Sequence, residues 1–293
     1  MVNTYRIILA RPGAGFFSNF LQVVGYLSGL EGTDNVPVVY FNRLFLYWSP
    51  SGYEGRMNGW EYYFEPIIPE INASDLLGIN DADLQIYEGA DFRRISMEAA
   101  KKKIHFNSTY WVKATGWRGK FNDEQRRNSA RIVKKYVRLQ ESVLKRYEST
   151  RARIFDGRDM VGVHYRGTDK GGEIKGMGYP FIGINKYLEE TDFYLKSHEG
   201  SYVFLATDLE SALTTFKKRY GQKLIYVDAR RSVNGRPVHK HGAIPKVGEE
   251  ALMDALLLSS AKALICGYSH LTAAAAYFNI NLEVKNVYCL KGS

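Results

Sequence analysis

Short apolar runs at 160–164, 202–207, 223–227 and 263–266 alternate with helical periodicity at 184–196, 209–220 and 248–261. This alternation constrains the fold more than any other feature, because parallel strands need long crossovers and helices supply them. A parallel sheet is therefore expected in the second half. Each run also gives way to polar groups: His164 and Arg166, then Asp208, then Asp228, Arg230 and Arg231, then Gly267, Tyr268, Ser269 and His270. In open α/β sheets ligands bind outside the carboxyl ends of the strands, so these residues should share one edge.

The first half opens with a strand at 5–10, the loop Pro12-Gly13-Ala14-Gly15, a helical pattern at 18–30 that includes Phe20, Leu21, Val24 and Leu27, and a strand at 36–41. This reads as a βαβ unit with Ser18 as N-cap and Asn19 a candidate to face a cleft. The loop lacks the third glycine of the dinucleotide fingerprint, and no acidic residue clearly follows the second strand, which weighs against a nicotinamide cofactor. Residues 44–69 are rich in aromatics without a period, as in a structured loop. For Trp60 to Phe64 two readings are open, core packing and stacking on sugar rings, and we favour the second. A basic helical pattern at 122–151, with Ile132, Val133, Tyr136, Val137, Val143, Leu144 and Tyr147 near one side, reads as a solvated face rather than a nucleic-acid grip. Gly157 and the charged pair around it mark a boundary, after which strands and helices alternate, giving two expected domains, 1–154 and 155–293, each Rossmann-like and facing a shared cleft.

A net charge of +9 favours anionic ligands, with nucleotide sugars, nucleic acids and anionic membrane surfaces all compatible. No apolar run approaches the roughly 20 residues of a spanning helix. The apolar N-terminal stretch passes straight into the glycine loop, so it reads as a strand rather than a leader, and a cytoplasmic location is expected. Cys266 and Cys289 have no metal-ligand spacing and read as reduced structural thiols.

An Arg and a His near a helix N-terminus with hydroxyl donors suit a diphosphate, and a lone carboxylate at a strand end suits ribose hydroxyls or the amino edge of a base. Plainer roles are open for each residue: a core histidine for His164, a surface ion pair with Asp169 for Arg166, a helix N-cap for Asp208.

The order His164-x-Arg166-x-Thr168-Asp169-Lys170, then a strand ending at Asp208, then Cys266-Gly267-Tyr268-Ser269, resembles the α1,6-fucosyltransferases of the nodulation and N-glycan core type; O-fucosyltransferases share a looser pattern. The resemblance spans 160–278. It implies a GT-B-like, inverting, metal-independent glycosyltransferase that moves fucose from GDP-fucose to a glycan hydroxyl and needs no cofactor. Carried over residue by residue, Arg166 holds the β-phosphate, His164 helps position the nucleotide, and Asp208 contacts the nucleoside. Lys170 lies near the departing diphosphate, Ser269 faces the diphosphate with Tyr268 beside it in the same motif, and Glu173 is the candidate base. The chain departs from the pattern at Gly167, where core-type enzymes carry a second Arg, at Leu271, where they carry Gln, and at Glu173, whose counterpart stands one residue farther from the Lys. Its shortness suits a bacterial or viral type of enzyme. The alternatives are a non-catalytic nucleotide- or glycan-binding module and a basic nucleic-acid binder.

Overall fold

The computed structural model describes residues 4–71, 123–168, 181–235 and 244–287. In the first half, β1 (Thr4–Leu9) and β2 (Asn35–Tyr40) pair in parallel across helix α1 (Phe16–Leu30). Helices α2 (Asp123–Tyr136) and α3 (Glu141–Phe155) then lead to the second half. There β3 (Met160–Tyr165), α4 (Ile184–Ser197), β4 (Tyr202–Thr207), α5 (Glu210–Tyr220) and β5 (Leu224–Ile225) form one wing. Helix α6 (Pro245–Ser259), β6 (Ala263–Cys266), α7 (His270–Phe278) and β7 (Glu283–Asn286) form the other. The five-stranded sheet runs β5-β4-β3-β6-β7, every pair parallel.

Both faces of this sheet are covered, which is why its central strands read as continuous apolar runs rather than alternating ones. Val161, Val163, Val203, Leu205, Ala263 and Ile265 pack in one cluster. Met160, Phe204, Ala206, Leu264 and Cys266 point the other way, onto α3 and α6. Gly162 lets α6 lie close: a Cβ there would come 2.9 Å from Leu258 Cδ2 and 3.4 Å from Ala261 Cβ. Gly162→Val is expected to cost about 1–3 kcal/mol through overpacking, at about 2–4 °C of Tm per kcal/mol. A thermal melt checks this, and an unchanged Tm would show that the helix has slack.

Several expectations change. The basic pattern at 122–151 divides into two helices, because Glu65 and Gln140 backbone N–H groups donate to Arg138 and Tyr63 carbonyls and draw the intervening chain alongside the aromatic loop. The outer cations of α2 are exposed, as a solvated face requires, but three of its five cations also have partners among the described residues. Arg131 and Lys135 pair with Glu31 at 2.7 and 2.9 Å. Arg126, buried, donates from Nε to the Ala276 carbonyl at 3.1 Å and from Nη2 to Asn279 and Leu282 carbonyls at 2.7 Å, satisfying the carboxyl end of α7. The favoured sugar-stacking reading of the aromatic cluster is overturned. Trp60, Tyr62, Tyr63 and Phe64 are each at most 1 % exposed and pack with Phe16, Phe20 and Phe45.

That aromatic core extends past residue 155, taking in Val247, Leu252, Tyr268, Ala273 and Tyr277. Polar contacts reinforce the same junction. The Tyr63 hydroxyl donates to the Pro245 carbonyl at 2.8 Å, and the Tyr53 hydroxyl donates to Glu249 Oε2 at 2.6 Å. Burial, then the bond to Glu249, pushes the Tyr53 hydroxyl well above its ordinary range. Arg146 completes the cluster by pairing with Glu249 and Glu54, each at 2.8 Å. No helix among the described residues is long and apolar enough to cross a membrane.

Candidate functional site

The strand order turns around between β3 and β6, and ligands in open α/β sheets bind outside the carboxyl ends at such a switch point. His164 stands beside Cys266 in the paired register, so the residues that follow the two strands emerge together. They form the floor of a cleft of about 380 Å³. His164, Arg166, Asp208 and Ser269 all line it, four positions separated in sequence and brought to one place by the sheet. The opposite wall comes from the first half: Arg11, the loop 13–15, the start of α1 and Tyr47.

Each side chain has a local reason for its position. Arg166 follows β3 directly, with 30 % of its side chain exposed, and its Nε lies 3.9 Å from Asp208 Oδ2. Asp208 accepts the Gly167 N–H at 2.9 Å and the Thr168 hydroxyl at 2.6 Å, so it clasps the turn that presents Arg166. It is not the N-cap of α5; Leu209 occupies that position. Ser269 is the N-cap of α7, its hydroxyl accepting the Leu271 N–H at 3.1 Å. Accepting that bond leaves the hydroxyl its own proton to donate. Thr272 steadies the turn by donating to Gly267 and Ser269 carbonyls at 3.3 and 2.8 Å.

Tyr268 is placed differently from its neighbours in the motif. Its ring is 3 % exposed, packed in the aromatic core, and borders a narrow recess behind His164 and Arg166 rather than the cleft itself. At Gly167 an added Cβ would collide with the Leu209 side chain and approach Tyr165 Cε1 to 3.0 Å, so Leu209 and Tyr165 crowd this departure from the motif and leave no room for a larger residue without a shift. Arg231 turns back, donating to Val227 and Ala229 carbonyls at 2.6 and 3.2 Å. Asp169, Lys170, Glu173 and Cys289 lie outside the described residues; Cys266 is buried.

The first-half wall is a locked turn. Asn19, 1 % exposed, accepts the Arg11 N–H at 2.7 Å and donates to Ala14 and Gly15 carbonyls at 3.0 and 3.4 Å, so it braces the loop instead of facing the cleft. Gly15, not Ser18, is the N-cap of α1, and it brings no side-chain cap. The helix therefore starts earlier than expected and leaves first-turn N–H groups at the cleft wall.

Sequence reasoning missed Glu250 and Asp254, one turn apart on α6, both lining the cleft. Asp254 stands one turn before Leu258, the residue seated on Gly162, which sets it above the β3 face that carries His164. It keeps some solvent contact through this cleft and an adjoining cavity of about 240 Å³, while protein surrounds it otherwise. Burial pushes its carboxyl up to about 7, with Arg231 opposing and Glu250 adding to the rise. A lone acid in the apolar helical run ALMDALLLS was the available signal. Among the described residues no group of three His, Cys, Asp or Glu side chains is arranged to hold a metal ion.

Among solved structures the chain is similar to fucosyltransferase NodZ from Bradyrhizobium, at 15% identity and a TM-score of 0.59 over 96% of this chain and 94% of that one. It is similar too to NodZ alpha-1,6-fucosyltransferase soaked with GDP-fucose, at 15% identity and a TM-score of 0.57 over 95% and 93%. POFUT1 in complex with GDP matches at 12% identity and a TM-score of 0.50 over 97% and 98%. No family model and no curated protein matches the sequence. At such identity the likeness shows the fold, the α/β, GT-B-like arrangement that the motif resemblance leads one to expect.

Proposed function

We propose that this chain is an inverting glycosyltransferase that moves fucose from GDP-fucose to a glycan hydroxyl without a metal. One observation carries the reading: Arg166 and the N-terminus of α7 converge at the switch point of a fold shared with fucosyltransferases. Sugar transfer from a nucleotide diphosphate builds negative charge on the leaving phosphate as the sugar becomes oxocarbenium-like. A guanidinium and oriented N–H groups meet that charge where it develops. Each charge-assisted hydrogen bond contributes about 1.5–3 kcal/mol net, so three approach the ~8 kcal/mol of micromolar binding.

In this reading the strand ends of the second half, 155–293, take the donor, and the first half, 1–154, faces the acceptor. His164 and Ser269 flank the diphosphate, Tyr268 supports them from behind, and Asp208 orients the turn carrying Arg166. Asp254, when ionised, accepts from the amino edge of guanine. Lys170 and Glu173 keep the roles of leaving-group cation and base on their sequence positions alone. A cytoplasmic enzyme with no nucleic-acid partner is part of the same proposal.

Thermal melts with GDP, UDP and dTDP test the nucleotide. A tight ligand raises Tm by mass action, and the rise is expected with GDP; a rise with UDP alone would overturn the donor assignment. Transfer is also expected to survive excess chelator. A strict Mg²⁺ or Mn²⁺ requirement would contradict the metal-free mechanism, and GDP binding without turnover across a broad acceptor panel would favour a non-catalytic module.

A further inference from the structure

We propose that Arg11 is a second diphosphate-binding cation, reaching the anion from the wall opposite Arg166; the assignment rests on the nucleotide-sugar reading above. Charge balance in the cleft is the first argument. Its described lining holds Arg11, Arg166 and Arg230 against Asp208, Glu250 and Asp254. Arg166 lies beside Asp208, and the Arg230 backbone N–H donates to Glu250 Oε2 at 3.2 Å, which keeps that carboxylate next to the Arg230 segment. With Asp254 ionised the six charges cancel, and with it protonated one positive charge is left over, so a diphosphate needs a cation away from the carboxylates. Arg11 is exposed at the cleft wall and, among the described residues, joins no ion pair.

The second argument is the rigidity of its support. Asn19 fixes the Arg11 N–H, and the Arg11 carbonyl accepts the Ala14 N–H at 3.2 Å, so the side chain projects from an ordered turn. Pre-organisation of this kind lowers the entropic cost of binding. The third is the clearance beside it. A Cβ at Gly13 or Gly15 would meet nothing within 4 Å, so these positions are open on the protein side and border the cleft. A diphosphate can therefore approach the uncapped N-terminus of α1 and the Arg11 guanidinium together.

Calorimetry with GDP, guanosine and inorganic pyrophosphate, on wild type, Arg11→Ala and Arg11→Lys, tests this. Arg127→Ala, on an exposed part of α2, controls for loss of overall charge. Arg11→Ala should weaken GDP and pyrophosphate by about tenfold to a hundredfold and leave guanosine unchanged, with Lys recovering part of the loss and Arg127→Ala having no effect. GDP and pyrophosphate affinities of Arg11→Ala within twofold of wild type, or an equal loss for guanosine, would overturn the proposal. If wild type binds pyrophosphate in an Arg11-dependent way but not GDP, the nucleotide reading falls and the Arg11 assignment stands. If it binds neither, both fall.

Discussion

Arg166→Ala is expected to lower transfer by about 10²–10³-fold or more while leaving the fold intact. The rate loss follows from position: the residue emerges from β3 at the switch point, where the leaving diphosphate gathers charge, and removing one such preorganised donor costs about this much in other enzymes. The intact fold follows from exposure. With 30 % of the side chain accessible and an ion pair to Asp208 of 3.9 Å, Arg166 contributes little to stability. Asp208 keeps its bonds to Gly167 and Thr168, so the turn itself should survive. Initial rates of GDP release with donor and acceptor, alongside a melt, check both halves of the expectation. Arg166→Lys should fall between, since it keeps the charge and loses the planar fork. Near-wild-type turnover by the alanine variant would end the phosphate assignment.

Asp254→Asn should move stability and ligand affinity in opposite directions. The folded chain holds the Asp254 proton up to about 7, against an ordinary carboxyl value of 3.8, because burial penalises the carboxylate. A raised carboxyl pKa means that the folded state binds more protons than the unfolded one between those values, so stability falls as pH rises from about 4 to about 7. The amide removes that loss. Tm of the variant should match wild type near pH 4 and exceed it by several degrees at pH 8. Guanine offers two N–H donors on one edge, and an amide can accept only one of them. GDP should therefore bind the variant about tenfold to a hundredfold more weakly, and the preference for GDP over inosine diphosphate, which lacks the exocyclic amine, should shrink. Equal GDP affinity in variant and wild type would remove Asp254 from the nucleobase.

The sheet was legible because its strands are apolar runs that stop at charged or hydroxyl residues, and β3, β4 and β6 lie where those runs lie. Its edges were not. β5 is only Leu224–Ile225, paired with Val203 and Phe204, and β7, with the sequence EVKN, has too little apolar content to be seen without its partner β6. Helix starts gave way to backbone needs: Pro245 opens α6 before its apolar period begins, and Gly15 displaces Ser18 at α1. The convergence of His164, Arg166, Asp208 and Ser269 could be foreseen from strand ends alone. Arg11 and Asp254 could not, since one depends on how the halves face each other and the other on which turn of α6 overlies Gly162.

The aromatic core that joins Phe16, Phe20 and Tyr63 to Leu252, Ala273 and Tyr277 has a consequence for engineering. A chimera that keeps residues 1–154 and grafts on a foreign donor half would leave these rings without their socket. Successful transplants will have to carry the matching faces of α6 and α7 along with the nucleotide site.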